Sequence, residues 1–300
     1  ASNPCDYQYG LTGTFALLLG YAIGFPPLWN IENGESRIGI FGLMDQGSNN
    51  GRGVVPSPPD AWSRVFAGWE TPREVVYGDV VNLPARDEGN IVKVDIREDE
   101  YFLIENRNNT IRNGISLDSI RYLMYQNSST VSAPSYLNVL LDSAGLVKDT
   151  NGVIVSSPNY DLGLPASGLL IWHIDEKIID SHGDNFGFNN DIQFMGVDLE
   201  EADGAQDIGY SSIFLFNDPS VGYFGDMWFQ GNSQYYLPNT NMIDLKPEFG
   251  PNTYPNTSAN DGSSTFIRIS EIGGSPDTMF FNVSHAFVAE EYPDSNFNFE

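Results

Sequence analysis

The segment VDLEEADG, residues 197–204, carries four carboxylates in eight positions. On an extended strand Asp198 and Glu200 point to the same side about 6.6 Å apart. At an effective dielectric of about 20, two like charges at that separation repel by roughly 2.5 kcal/mol. A hard cation is one way to offset this, because calcium takes about six to eight oxygens from carboxylates, amides and backbone carbonyls. Loops elsewhere add oxygen donors, Asp191 in DNFGFNND and Asp226 in the Gly225-Asp226 pair. The candidate calcium ligands are therefore Asp198, Glu200, Glu201, Asp203, Asp191 and Asp226. Their spacing matches no EF-hand loop, and an exposed acidic hairpin relieved by protons or water stays open beside the calcium reading.

Other reactive groups are few. The chain has three histidines, His173, His182 and His285. His173 and Asp175 fall on one face of a predicted strand with His182 in the loop after it, so a metal site can be drawn there. A strand histidine with satisfied hydrogen bonds is the competing reading. No Gly-x-Ser-x-Gly elbow supports a serine nucleophile, and no pair of acids is singled out for glycoside chemistry. Cys5 is the single cysteine, which rules out an internal disulfide and leaves little scope for a thiolate metal site. The sequons at Asn108, Asn127, Asn256 and Asn282 read as chance in an Asn-rich chain.

These residues need elements to hold them. Leu11 to Phe25 reads as an apolar helix stopped by Pro26 and Pro27. SPPDAWSRVFAGW predicts a short helix over 59–67 with Ser57 as cap and Pro58 and Pro59 in the first turn. From about residue 70 the period changes. EVVYGDVVNLP, NIVKVDI, EYFLIENR, GLLIWHIDE, FMGVDLEEA, TFIRISEI and TMFFNVS read as strands of a mainly antiparallel β domain. Residues 111–150 are mixed in character, and the tail after Pro293 reads as an extended arm.

Forty acidic residues against 14 basic ones give a formal charge of −26. That balance excludes nucleic acid as a partner, since phosphates need a basic surface, and anionic lipid likewise. The apolar run from Leu11 to Phe25 is too short and glycine-broken to span a bilayer. The N-terminal ASNPCDY has no basic region or cleavage pattern, which predicts a processed or excised segment of an extracellular protein.

Several of these segments occur in the same order in one family. EYFLIENR (100–107), SGLLIWHIDE (167–176), VDLEEADG (197–204), GYFGDMWFQG (222–231) and GSSTFIRISEIGGSPDTMFFNVS (262–284) resemble the C-terminal half of secreted zinc metalloproteases of the immune inhibitor A type. FGLMDQGSNNG followed by PSPPDAWSRVFAGWETP is similar to the stretch after that family's zinc helix, which implies that Met44 sits at the Met-turn position. The resemblance covers roughly residues 14 to 284.

It also implies that TFALLLGYAIGFPPLWN (14–30) stands where the family has His-Glu-x-x-His-x-x-Gly-x-Pro-Asp-Leu-Tyr. Anchored on Gly24, Pro26 and Leu28, the first His falls on Leu17, the Glu on Leu18, the second His on Tyr21 and the Asp on Pro27. Zinc needs nitrogen, sulfur or carboxylate ligands, and Leu17 and Tyr21 offer none of the expected ones. Without the metal, water keeps a pKa of about 15.7 instead of roughly 7, so the nucleophile is lost too. The helix is expected to have become core, with Leu17, Leu18, Tyr21 and Phe25 filling the cleft, Gly20 and Gly24 allowing close approach, and Met44 packing beneath.

The expected fold is α+β and mostly β. A degenerate metalloprotease remnant (1–70) packs on a β-rich, sandwich-like antiparallel domain (71–285), followed by an extended tail (286–300). The expected function is a non-catalytic, calcium-stabilised module of a secreted or cell-surface, prokaryotic protein, without zinc. It would act through a protein partner, self-assembly or its own N-terminal half, with no nucleic acid and no membrane insertion. Two rivals stand beside it: an active hydrolase with a relocated metal around His173, and the C-terminal fragment of a precursor that works with its upstream half.

Overall fold

A computed structural model describes residues 10–85, 90–109, 147–150, 154–156, 159–210, 219–240 and 246–286. Cys5, Asn127, most of the mixed segment 111–150 and nearly all of the tail lie outside them. The fold is α+β and mostly β, in three layers.

The middle layer is a five-stranded sheet in the order β1 (Arg73–Glu74), β3 (Ile91–Arg97), β4 (Glu100–Arg107), β7 (Gly168–Asp175), β8 (Val197–Leu199). Every residue of β4 and β7 is buried, because both faces of this sheet are covered. That is why EYFLIENR and GLLIWHID read as nearly continuous apolar runs rather than as alternating ones. A second sheet, β2 (Val80–Pro84), β10 (Thr278–His285) and β9 (Ile267–Ser275), covers one face and shows the alternation of a half-buried sheet. Between the two sheets lie Val92, Val94, Phe102, Ile104, Ile171, Ile269 and Phe281. A short pair, β5 (Val147–Lys148) and β6 (Ile154–Ser156), stands apart.

Among the described residues the strand pairs are antiparallel except β1 with β3, which is parallel, in keeping with the mainly antiparallel domain expected. The acidic strand is shorter than its sequence suggested. Glu200 still donates its amide to the Ile171 carbonyl of β7 at 2.9 Å; beyond it the chain leaves the sheet, and the Ala202 amide donates to the carbonyl of Asp226 at 3.0 Å instead of to a strand neighbour.

The third layer, residues 10–69, covers the other face of the five-stranded sheet. Phe25, Leu28, Phe41, Met44 and Trp62 share a core with Leu103, Leu170, Trp172 and Ile174. Helix α1 (Thr12–Ala22) ends at Gly24, whose φ of +102° is accessible to glycine, and Pro26 and Pro27 bar any continuation. One turn of helix, α2 (Asn50–Gly53), precedes α3 (Ala61–Phe66). The cap of α3 is Asp60, not Ser57: the Asp60 carboxylate accepts from the Ser63 amide at 2.9 Å and its hydroxyl at 2.6 Å. Ser57 instead donates to the Ile40 carbonyl, and both prolines precede the helix.

Helix α1 is not the core helix the sequence suggested. Its buried residues are Gly13 and Gly20. A side chain at Gly13 would run into the Ser48 carbonyl, and one at Gly20 would meet the Met44 sulfur at 2.7 Å. Contact through glycines turns the large side chains outward, so Phe15 is 66% and Leu18 55% exposed, with Leu11, Leu19 and Ile23 beside them. Leu17 and Tyr21 are only partly buried against the core, while Phe25 is fully incorporated. Gly24 has nothing near the position of a Cβ and serves the turn, not a close approach.

Candidate functional site

Three places hold chemistry that the sequence pointed to. The first lies under α1. Met44 is fully buried beneath Gly20, and its carbonyl accepts from the Leu28 amide at 3.1 Å. Next to it, Asp45 takes four donors on one oxygen: the Ser36 hydroxyl and the amides of Arg37 and Ile38, each at 2.8 Å, and the Gly39 amide at 3.1 Å. Its other oxygen is buried without a partner, as is the hydroxyl of Tyr21. Burial pushes Asp45 up to about 6 against those hydrogen bonds. Burial, then the charge of Asp45, pushes the Tyr21 phenol up to about 12. Leu17, Leu18 and Pro27 bring no metal donor here, so the positions that the resemblance gives to a zinc histidine and to the general base carry none.

The second place is His173. It sits opposite Phe102 on β4 and Asp198 on β8, and is 5% exposed. Its Nε2 lies 2.8 Å from Glu100 Oε1 and its Nδ1 3.0 Å from Glu200 Oε1. Glu100 also accepts from the Asn260 amide at 2.7 Å and from Arg97. Burial disfavours the imidazolium, but the hydrogen bonds to the two carboxylates outweigh it and raise His173 to about 9. Both ring nitrogens are thus engaged by carboxylates, and neither is left facing a metal. Asp175 caps helix α4 (Glu176–His182) by accepting from Lys177 and Ile178, and its second oxygen accepts from Asn260. The Nδ1 of His182 faces the Ile178 carbonyl of its own helix at 2.8 Å. The relocated metal site drawn from His173, Asp175 and His182 is not assembled.

The third place is the acidic segment, and it sorts the six candidate calcium ligands. Asp198 and Glu200 flank His173, where burial and then Glu200 push Asp198 upward. His173 opposes that rise only in part. Asp191 lies in an exposed turn, accepting from the Gln193 amide. Glu201, Asp203 and Asp226 do converge: one oxygen from each lies within 4.8 Å of the others, the one such acidic or histidine grouping among the described residues. Glu201 accepts from the amides of Asp207 at 2.8 Å and Ile208 at 3.0 Å. Asp203 accepts from the Ala205 amide and from the Tyr223 hydroxyl. Asp226 accepts from the Tyr223 amide at 2.7 Å on one oxygen, while its other oxygen is buried without a partner. Burial, then Glu201 and Asp203, holds Asp226 well above the usual carboxylate range. Burial does the same to Glu201 against its two amide donors, with Asp203 and Asp207 adding to the rise.

Sequence reasoning missed the part of Asp207 and Tyr223 in this cluster and of Glu100 beside His173. Asp207, in the loop after VDLEEADG, was a readable acid; Glu100 and Tyr223 carried no local signal. Asn108, one of the four sequons, is fully buried and bonded to Asp277, so its reading as chance stands.

Compared with protein-family models, with curated proteins and with solved structures, the chain matches none. Among the described residues no helix is long and apolar enough to cross a membrane.

Proposed function

We propose that the chain is a non-catalytic, metalloprotease-like module of a secreted or surface protein that acts by binding a protein partner or another copy of itself. The observation that carries this reading is the pairing of α1 with Met44. The helix lies over a buried methionine, as the resemblance to the immune inhibitor A type implies, but offers Leu17, Leu18 and Tyr21 where zinc ligands and a general base are needed. Histidines at such positions would direct two nitrogens to one metal from one helix face. His173 supplies no substitute, because both of its nitrogens are engaged by carboxylates.

The outward face of α1 supports a binding role. Leu11, Phe15, Leu18, Leu19 and Ile23 form an exposed stripe without a charge, on a chain whose net charge is −26. Contiguous apolar surface of this kind marks interaction sites more often than scattered single residues do.

The test is elemental analysis of the desalted chain together with a protease assay on denatured casein, with and without added zinc. The expected outcome is no bound zinc and no hydrolysis in either condition. Stoichiometric zinc lost together with activity on chelation would overturn the reading.

A further inference from the structure

We propose that Glu201, Asp203 and Asp226 bind one hard divalent cation, calcium by size, which ties the segment 200–208 to the turn at Phe224–Asp226. The three oxygens lie within 4.8 Å of one another. An ion about 2.4 Å from each ligand reaches oxygens up to about 4.8 Å apart, which is the span of a calcium shell. The donor set is oxygen only, which disfavours zinc and copper and suits calcium.

A cluster of acids alone would not point to a ligand, but the buried oxygen of Asp226 does. Asp226 has no exposed surface, and its Oδ1 finds no hydrogen-bond partner. A charged oxygen left so is costly unless something absent from the protein itself meets it. Among the described residues, none of the three acids pairs with a lysine, arginine or histidine, although buried ion pairs are used elsewhere in this chain. The backbone is arranged to keep the three acids in place. The Glu201 carboxylate is pinned by Asp207 and Ile208, the Ala202 amide bonds the Asp226 carbonyl, and Asn232 holds the carbonyls of Gly225 and Met227.

Occupation would stabilise the free edge of the central sheet. Trp228, two residues beyond Asp226, bonds Leu169 of β7 in both directions at 2.9 and 3.0 Å, and its indole donates to the Glu200 carbonyl. A cation joining residue 226 to residues 201 and 203 therefore fixes that bridge to the end of β8.

The test uses the full chain stripped with EDTA and dialysed into 0.15 M salt at about pH 7, where non-specific attraction to its acidic surface is screened beyond about 8 Å. Titration calorimetry with calcium chloride is expected to show one saturable equivalent, and the unfolding temperature to rise with calcium. Asp226→Asn, which keeps the acceptor for the Tyr223 amide, is expected to weaken binding at least about tenfold, while Asp191→Asn leaves it unchanged. Should Asp226→Asn fail to fold, terbium bound to the wild-type chain decides. Its emission, excited through Tyr223, is expected to saturate at one equivalent and to fall as a large excess of calcium competes for the site. Non-saturating heats, equal affinity in Asp226→Asn and wild type, or terbium emission indifferent to calcium would each overturn the site.

Discussion

Glu105 and Asp226 are both buried carboxylates in the same molecule, and their surroundings are opposite. Glu105 accepts from Arg64 at 2.9 Å and from the Trp172 indole at 2.9 Å, and faces Arg107, whose guanidinium also holds Asp161 at 2.7 Å. Burial works against the Glu105 charge, yet the two arginines hold its pKa below the ordinary value. Asp226 has acids for neighbours and an oxygen without a partner. One region carries its counter-charge in the sequence, and the other leaves a place for one to be supplied. With 14 basic residues against 40 acidic ones, the chain cannot place an arginine beside every buried acid.

The contrast breaks most violently at Arg107. Arg107→Met would leave Asp161 buried without its arginine and Glu105 with Arg64 alone, a change that costs about 3–5 kcal/mol for a buried pair. Urea unfolding should show the midpoint collapsing by that amount. A loss under about 1 kcal/mol would mean that water already screens the network.

His173 is the intermediate case, since its counter-charge can be titrated away. Its folded pKa is raised from the ordinary 6.5 to about 9. The stability it contributes is therefore complete below about pH 6.5 and lost as pH rises through about 9, up to about 3 kcal/mol in all. Above that range Glu100 and Glu200 face a neutral ring and come to resemble the uncompensated cluster. Unfolding free energy measured from pH 6 to 9.5 should fall for the wild type and stay nearly flat for His173→Gln. Parallel curves would remove His173 from the account.

At Asp226 the expected sign reverses. In chelator, Asp226→Asn removes a carboxyl that burial and its acidic neighbours hold well above the usual range and that therefore opposes folding near pH 7, so the variant should be more stable than wild type by roughly 1 kcal/mol. In excess calcium the order should invert, because only the wild type gains from the ion. Urea midpoints in the two buffers measure both halves, and an unchanged order would equate the acidic cluster with ordinary buried acids.

Much of this was legible in the sequence and some was not, for physical reasons. Each of the seven predicted strand runs contains a strand, because β-branched and aromatic residues bounded by turns have few other ways to bury themselves. The acids of the cation cluster were visible as a composition. Their grouping was not, because Asp226 reaches Glu201 through the fold, and the local spacing that joined Asp198 with Glu200 gave the wrong pair. The partners of His173 were hidden likewise, since Glu100 meets it only once β4 pairs with β7. Helix α1 was recognised, but its orientation was misjudged. A helix apolar on every side gives no moment to say which face is buried, and the deciding signal was the pair of small residues Gly13 and Gly20.

That misjudged face gives the smallest expected effect on stability. Unlike Glu105 or Asp226, the side chains of Phe15 and Leu18 are already more than half in water. Replacing either with serine removes little that folding had buried, so stability should stay within about 0.5 kcal/mol of wild type. Serine should weaken any association made through the stripe, because a partner would have removed that apolar area from water. Sedimentation velocity over a concentration series, alongside urea unfolding, separates the two quantities. Unchanged stability with a shift toward monomer would assign the stripe to contact with a second copy. A loss of several kcal/mol would instead return the helix to the core.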